Sequence, residues 1–153
     1  GRHVTWIPSY GPEMRGGTAH CVVIISDDPI GAPTVARPDV AVVLNLPSFD
    51  KYETVVKPGG LLVVNNSLIE SETERRDIDV VAVPANAIAE EWGTSKMLNM
   101  AAVGALLAGR PVLPLAVVET ALAAHLPANK QHLIEANLQV LRHGHAVGLP
   151  AHA

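Results

Sequence analysis

Side chains capable of chemistry gather most densely in one short stretch, Ser9-Tyr10-Gly11-Pro12-Glu13-Met14-Arg15-Gly16-Gly17. An acid stands two residues before a guanidinium, and glycines bracket both. Gly16 and Gly17 leave the backbone free to adopt φ > 0 or to approach a ligand closely. Arg15 offers a planar fork of N–H donors that suits a phosphate or a carboxylate. Glu13 can pair with it across the turn. The residues alone allow two readings. One is a tight strand connection with a surface ion pair; the other is a loop presenting Arg15 to an anion or a partner.

Elsewhere the reactive groups are scattered. The seven histidines are His3, His20, His125, His132, His143, His145 and His152. None forms H-E-x-x-H, and His143-x-His145 reads as a surface pair at a helix end. Asp27 and Asp28 read as a solvated turn, because adjacent residues in a turn rarely converge on one ion. No G-x-S-x-G elbow is present. The single Cys21 lies in an apolar run and reads as a buried, inert thiol. One cysteine cannot close a disulfide within the chain, and it fits a reducing compartment. Nor can it build an iron–sulfur cluster, which normally takes four. No metal site and no independent catalytic constellation is expected. Asn45 and Asn65 each stand where an apolar strand stops, with Asn66 and Ser67 just beyond. Ligands collect at the carboxyl ends of strands in open α/β sheets, although asparagine there also caps turns. Lys96 reads as an ordinary surface lysine near a helix start.

These groups need a scaffold. The 153 residues are 48% hydrophobic and suffice for one domain with a real core. Aromatics make up only 3%, so that core must be Val, Leu, Ile and Ala. A net charge of −4 disfavours nucleic acid. No apolar run is long enough to cross a bilayer.

Strands are expected at 3–7, where Pro8 ends the first, and at 19–25, 40–44, 61–64 and 79–83. Cys21-Val22-Val23-Ile24-Ile25 is continuous and reads as buried on both faces. A short helix follows Asn45 through Val55, and another spans 85–92. Ser95 is the expected N-cap of a helix over 96–107. Its Met97, Met100, Val103 and Leu107 stripe reads as core or subunit contact; Ala101, Ala105 and Ala108 make a small-residue face. Pro114 starts a helix over 115–125. Gly144 is expected to stop the last helix, 130–143, leaving a frayed tail from His145. The charged stretch 70–77, with Arg75 and Arg76, reads as a solvated connector. Strands dominate the first half and helices the second. The expected fold is therefore a three-layer α/β/α domain with a mixed, mainly parallel sheet, its first two strands an antiparallel or irregular pair.

The motifs also carry a resemblance. S-Y-G-P-E-M-R-G-G, followed by T-A-H-C-x-V-x-I-S-D, resembles the gamma subunit or gamma domain of 2-oxoacid:ferredoxin oxidoreductases. Later pieces match in order. They are Asp39-Val40-Ala41-Val42-Val43-Leu44-Asn45, then Lys57-Pro58-Gly59-Gly60 leading into Leu61-Leu62-Val63-Val64-Asn65-Asn66-Ser67. The helix Asn99-Met100-Ala101-Ala102-Val103-Gly104-Ala105-Leu106 and the closing Asn137 to Gly144 complete the series. The likeness spans nearly the whole chain. That family carries a strand, a G-x-G-G-Q-G turn and a helix just upstream of the first motif. The resemblance therefore implies that a chain opening at Gly1 lacks that segment.

The resemblance implies oxidative decarboxylation of a 2-oxoacid to an acyl-CoA, with electrons passed to ferredoxin. Thiamine diphosphate and iron–sulfur clusters would reside in partner subunits, and coenzyme A would enter as substrate. This chain would complete the assembly without turning over alone. It further implies that Tyr10, Gly11, Glu13, Arg15, Gly16 and Gly17 face the catalytic partner. Asn45, Asn65, Asn66, Ser67 and Asn99 are secondary candidates at the sheet edge. Other expectations are a cytoplasmic protein, no nucleic-acid or membrane partner, and a homodimer when isolated. The short gamma-type chain and the P-E-M-R-G-G loop lean toward 2-oxoglutarate. Alternatives are the pyruvate, branched-chain or indolepyruvate branch, or a stand-alone α/β module that binds a nucleotide or coenzyme A.

Overall fold

A computed structural model describes residues 1–9 and 19–149. The chain divides into two compact units, Gly1–Pro38 and Asp39–Ala153.

In the first unit, β1 (His3–Ser9) and β2 (His20–Ser26) form an antiparallel ribbon. Arg2 and Asp27 close its open end with a 2.9 Å ion pair. Pro8 lies inside β1 and does not end it. Each strand of a ribbon is an edge strand, where a residue without an N–H is tolerated. The register sets Val4 opposite Ile25, Trp6 opposite Val23 and Pro8 opposite Cys21. Val4, Trp6, Val23 and Ile25 are exposed, while Thr5, Ile7, Val22 and Ile24 on the opposite face are half-buried. The expectation that β2 is buried on both faces is thus corrected. A two-stranded ribbon is covered on one side only, so the run alternates although every residue in it is apolar. Cys21 consequently is exposed and not a buried thiol.

The second unit is built on three parallel strands, β3 (Val40–Val43), β4 (Leu61–Asn65) and β5 (Asp79–Val83), in that spatial order. Every residue of the central β4 is buried. Strand geometry sends alternate side chains to opposite faces, and two separate cores result. Leu61 and Val63 pack with Val83, Ala89, Met97, Ala101, Ala105 and Val140, beneath α2 (Ala85–Glu91), α3 (Leu98–Gly109) and α5 (Ile134–Gly148). Leu62 and Val64 pack with Ala41, Val43, Phe49, Val56, Ile69 and Ile78, beneath α1 (Leu46–Tyr52). The unit is an α/β fold with helices on both faces of a parallel sheet. The remaining helix, α4 (Leu115–His125), has no buried residue and is tied to α5 by a 2.6 Å pair between Glu119 and Arg142.

Two pairs of glycines decide the local geometry. The turn into β4 needs Gly59, at φ 73°, and Gly60, where a Cβ would lie 2.7 Å from the Asp39 carbonyl oxygen. Gly144 does not stop the last helix, which runs on to Gly148, so the tail expected to fray from His145 is helical that far. Gly144 is instead where α5 meets α3: a Cβ there would stand 2.1 Å from the Ala101 carbonyl oxygen. Gly104 makes the reciprocal approach to Leu141. The start of α3 also differs from expectation. Thr94 and not Ser95 is the cap, accepting from the Lys96 N–H at 3.2 Å over a single 3-10 turn, 95–97.

Candidate functional site

The carboxyl ends of β3, β4 and β5 lie side by side, and an asparagine stands at or shortly after each: Asn45, Asn65 and Asn86. Asn45 follows β3 and caps α1, its side-chain oxygen accepting from the Ser48 N–H at 3.0 Å. Asn65 ends β4 and is only 1% exposed. Its amide donates to the Leu44 carbonyl at 3.3 Å and to Asn86 Oδ1 at 2.9 Å. Its oxygen accepts from the Ala85 N–H at 3.2 Å and the Ser67 N–H at 3.3 Å. One side chain therefore ties together the exits of all three strands. Asn66 and Ser67 are exposed beside it, and the Asn66 N–H donates to the Val83 carbonyl at 3.1 Å. The crest thus presents Asn45, Asn66 and Ser67 to solvent as neutral donors and acceptors, held by a buried asparagine.

Asn99 is exposed on the first turn of α3 and shares no hydrogen bond with the crest. Lys96 is exposed in the preceding 3-10 turn. Tyr10, Gly11, Glu13, Arg15, Gly16 and Gly17 lie outside the described residues. Their flanks are described: Ser9 sits opposite His20, so the chain leaves and re-enters the ribbon at one end. A cleft of about 460 Å³ adjoins that end, lined by Ile7, Pro8, Ser9, His20, Val22 and the segment 33–36.

Sequence reasoning missed the role of Arg75. Its Nε and Nη2 fork onto the Asp77 carboxylate at 2.9 and 2.7 Å. Its Nη1 donates to the carbonyls of Glu53 and Val56, both at 2.8 Å. The hydrogen bond between the two side chains holds the Asp77 carboxyl below its ordinary range and raises the guanidinium above its own. The stretch 70–77 is the mostly exposed connector expected, but Arg75 pins it beneath the end of α1. The available signal was the Arg-x-Asp spacing of Arg75 and Asp77, which suits a forked pair. This guanidinium is committed to structure.

His143 lies 3.5 Å from Glu91, linking α5 to α2. Among the described residues, no three His, Cys, Asp or Glu side chains are grouped to hold a metal ion. No described helix is long and apolar enough to cross a membrane. The crest can hold and orient a polar group, since it carries donors and acceptors but no nucleophile paired with a base.

A small parallel sheet between helix layers, with a polar crest at its strand ends, defines an open α/β scaffold, in which ligands bind beyond the carboxyl ends of the strands. The chain belongs to the pyruvate ferredoxin/flavodoxin oxidoreductase family, whose model matches residues 1–147. It is 40% identical over 108 residues to ketoisovalerate oxidoreductase subunit VorA of Methanothermobacter marburgensis, covering 71% of this chain and 22% of that protein. It is 33% identical to 2-oxoglutarate synthase subunit KorC of Methanocaldococcus jannaschii, over 91% of this chain and 74% of that one. Among solved structures, it resembles the keto/oxoacid ferredoxin oxidoreductase gamma subunit of Geobacter sulfurreducens PCA. That match has a TM-score of 0.80 at 28% identity and covers 98% of this chain and 82% of that chain. The chain spans less than a third of the two VorA proteins it matches.

Proposed function

We propose that this chain is the gamma-type subunit of a 2-oxoacid:ferredoxin oxidoreductase, supporting CoA-dependent conversion of a 2-oxoacid to an acyl-CoA with electrons passed to ferredoxin. The observation that carries the reading is the 91% span of this chain by a relative that is itself a named subunit of such an enzyme. The strand-end crest supports that role, because buried Asn65 holds exposed polar donors and acceptors beside it. Thiamine diphosphate and iron–sulfur clusters supply decarboxylation and electron transfer from the partner subunits. This chain's single cysteine fits neither a cluster nor its ligation here. The assembly works in the cytoplasm and reaches ferredoxin through the complex.

In this reading Tyr10, Gly11, Glu13, Arg15, Gly16 and Gly17 form the face turned to the catalytic partner. Arg15 contacts an anion, either a phosphate of coenzyme A or a carboxylate across the interface, and Glu13 orients it. Asn45, Asn66, Ser67 and Asn99 are secondary polar contacts, and Asn65 positions the first three. The 2-oxoglutarate reading is supported by KorC relatives of which this chain covers 74% and 79%. The branched-chain reading is favoured by the higher identity to the ketoisovalerate subunit. Viologen reduction by the co-purified complex, assayed with each 2-oxoacid, separates the two.

The test of the site is Arg15→Ala in the reconstituted complex. Loss of a hydrogen-bonded charge costs roughly 1.5–3 kcal/mol, so either the KM for coenzyme A or the subunit dissociation constant should rise about tenfold or more. Unchanged assembly together with unchanged coenzyme A kinetics removes Arg15 from the site. Submillimolar binding of coenzyme A by the isolated chain would instead favour a stand-alone module.

A further inference from the structure

Strand β5 is an edge of the described sheet. Among the described strands, β5 hydrogen-bonds only to β4. The Asp79 N–H donates to the Gly60 carbonyl, and the Val83 carbonyl accepts from the Asn66 N–H. In a parallel ladder the backbone groups of alternate residues point to alternate sides. Asp79, Val81 and Val83 therefore face β4, and the N–H and C=O groups of Val80 and Ala82 face outward. Natural edges are usually blunted by lysine, proline or a bulge, and β5 contains neither residue. Val80 is 45% exposed, and Ala82 is exposed beside it. An open cleft of about 440 Å³ runs along this edge, walled by Val147 and Leu149 at the end of α5.

We propose that this edge pairs with the same edge of a second copy of the chain, antiparallel about a two-fold axis through Val81. The strand is self-complementary in that arrangement. Full overlap of five residues sets Val80 opposite Ala82 of the second copy, and every outward N–H then meets an outward carbonyl. Asp79, the strand's one charged residue, falls opposite Val83, so no like charges oppose. Three strands become a continuous six-stranded sheet across the axis. The pairing covers Val80 and Ala82 on one face and brings Val147 and Leu149 to the axis on the other. The contact is at the small end of interface sizes, below roughly 1,200 Å² in total, so the dimer is a transient one in exchange with monomer. The inference concerns an edge remote in sequence from the 9–17 loop and stands independently of the subunit reading.

Sedimentation of the full chain over a concentration series tests it. The expected result is a mass that rises with concentration from 16.1 kDa toward twice that value. Ala82→Pro removes only an outward donor and leaves the β4 ladder intact, so it should weaken association about tenfold with an unchanged circular dichroism spectrum. Val80→Lys should do the same by placing like charges near the axis, which covers the case that the proline variant fails to fold. Register is read separately. Directly opposed residues at a non-hydrogen-bonded position have Cα atoms about 4.5 Å apart, within disulfide reach. Val81→Cys in a Cys21→Ser background should therefore oxidise to a covalent dimer. A chain that stays monomeric to submillimolar concentration overturns the proposal. So does association that neither edge substitution weakens, including pairing through another surface.

Discussion

Asn65 is the one buried polar side chain of the described core. An amide in that position is tolerated only because each of its groups is matched: two acceptors for its N–H groups and two backbone donors for its oxygen. Asn65→Leu keeps the volume but leaves the buried Ala85 N–H without an acceptor. An unsatisfied buried group costs about 1–3 kcal/mol, and the urea midpoint should fall accordingly. A midpoint within error of the parent would mean the strand exits are held by something else. The location of Asn65 at a strand end was legible, since an apolar run stops there. Its burial was not, because its partners Leu44, Ala85 and Asn86 come from the segments just after the neighbouring strands, some 20 residues away in either direction. Arg75 was misread for the same reason, as two of its acceptors belong to the segment after α1.

Strands and helices were mostly legible from apolar runs and from helix signals such as Pro114 before α4. What local pattern misjudged were the places where a distant element decides. A glycine near a helix end looks like a stop, yet Gly144 is the contact point of two crossing helices. The two interpretations predict opposite signs. On an exposed helix, Gly→Ala is favourable by about 1 kcal/mol. Here a Cβ at Gly144 would sit 2.1 Å from a backbone oxygen of α3, and backbone cannot swing away as a side chain can. Overpacking of this kind costs typically about 1–3 kcal/mol and sometimes more. Gly144→Ala should therefore lower the unfolding midpoint despite its better helix propensity, and Gly104→Ala likewise. Because both changes push the same pair of helices apart, the double variant should lose less than the sum. A stabilised Gly144→Ala would show that α3 and α5 do not approach this closely. The run at 21–25 taught a parallel lesson: five apolar residues in a row fit a doubly buried strand and a one-sided ribbon equally well. Only the number of neighbouring strands tells them apart.

At the scale of the whole molecule, exposed apolar side chains occur in both units among the described residues, and those of the ribbon are contiguous. Single exposed apolar side chains are ordinary, whereas contiguous ones mark interaction surfaces. Val4, Trp6, Val23 and Ile25 form such a patch on one face of the ribbon, with Trp6 59% exposed. The same two strands carry the glycine-bracketed Glu13 and Arg15 segment between them, so a subunit engaged by that segment is brought to the ribbon as well. Trp6 should report the event. The only other tryptophan is Trp92, at the end of α2, and Trp92→Phe leaves Trp6 as the sole fluorophore of its kind in this chain. A solvated indole emits to the red and is readily quenched by acrylamide. When tryptophan-free catalytic partner subunits are titrated in, Trp6 emission should shift to the blue and its quenching constant should fall severalfold. If Arg15 tightens docking and the apolar face receives the partner, Arg15→Ala should move the midpoint of that titration to higher partner concentration while leaving its endpoint in place. If Trp6 stays red and fully quenchable in a complex that has demonstrably assembled, the ribbon face takes no part in docking. The loop would then have to reach the catalytic subunit alone.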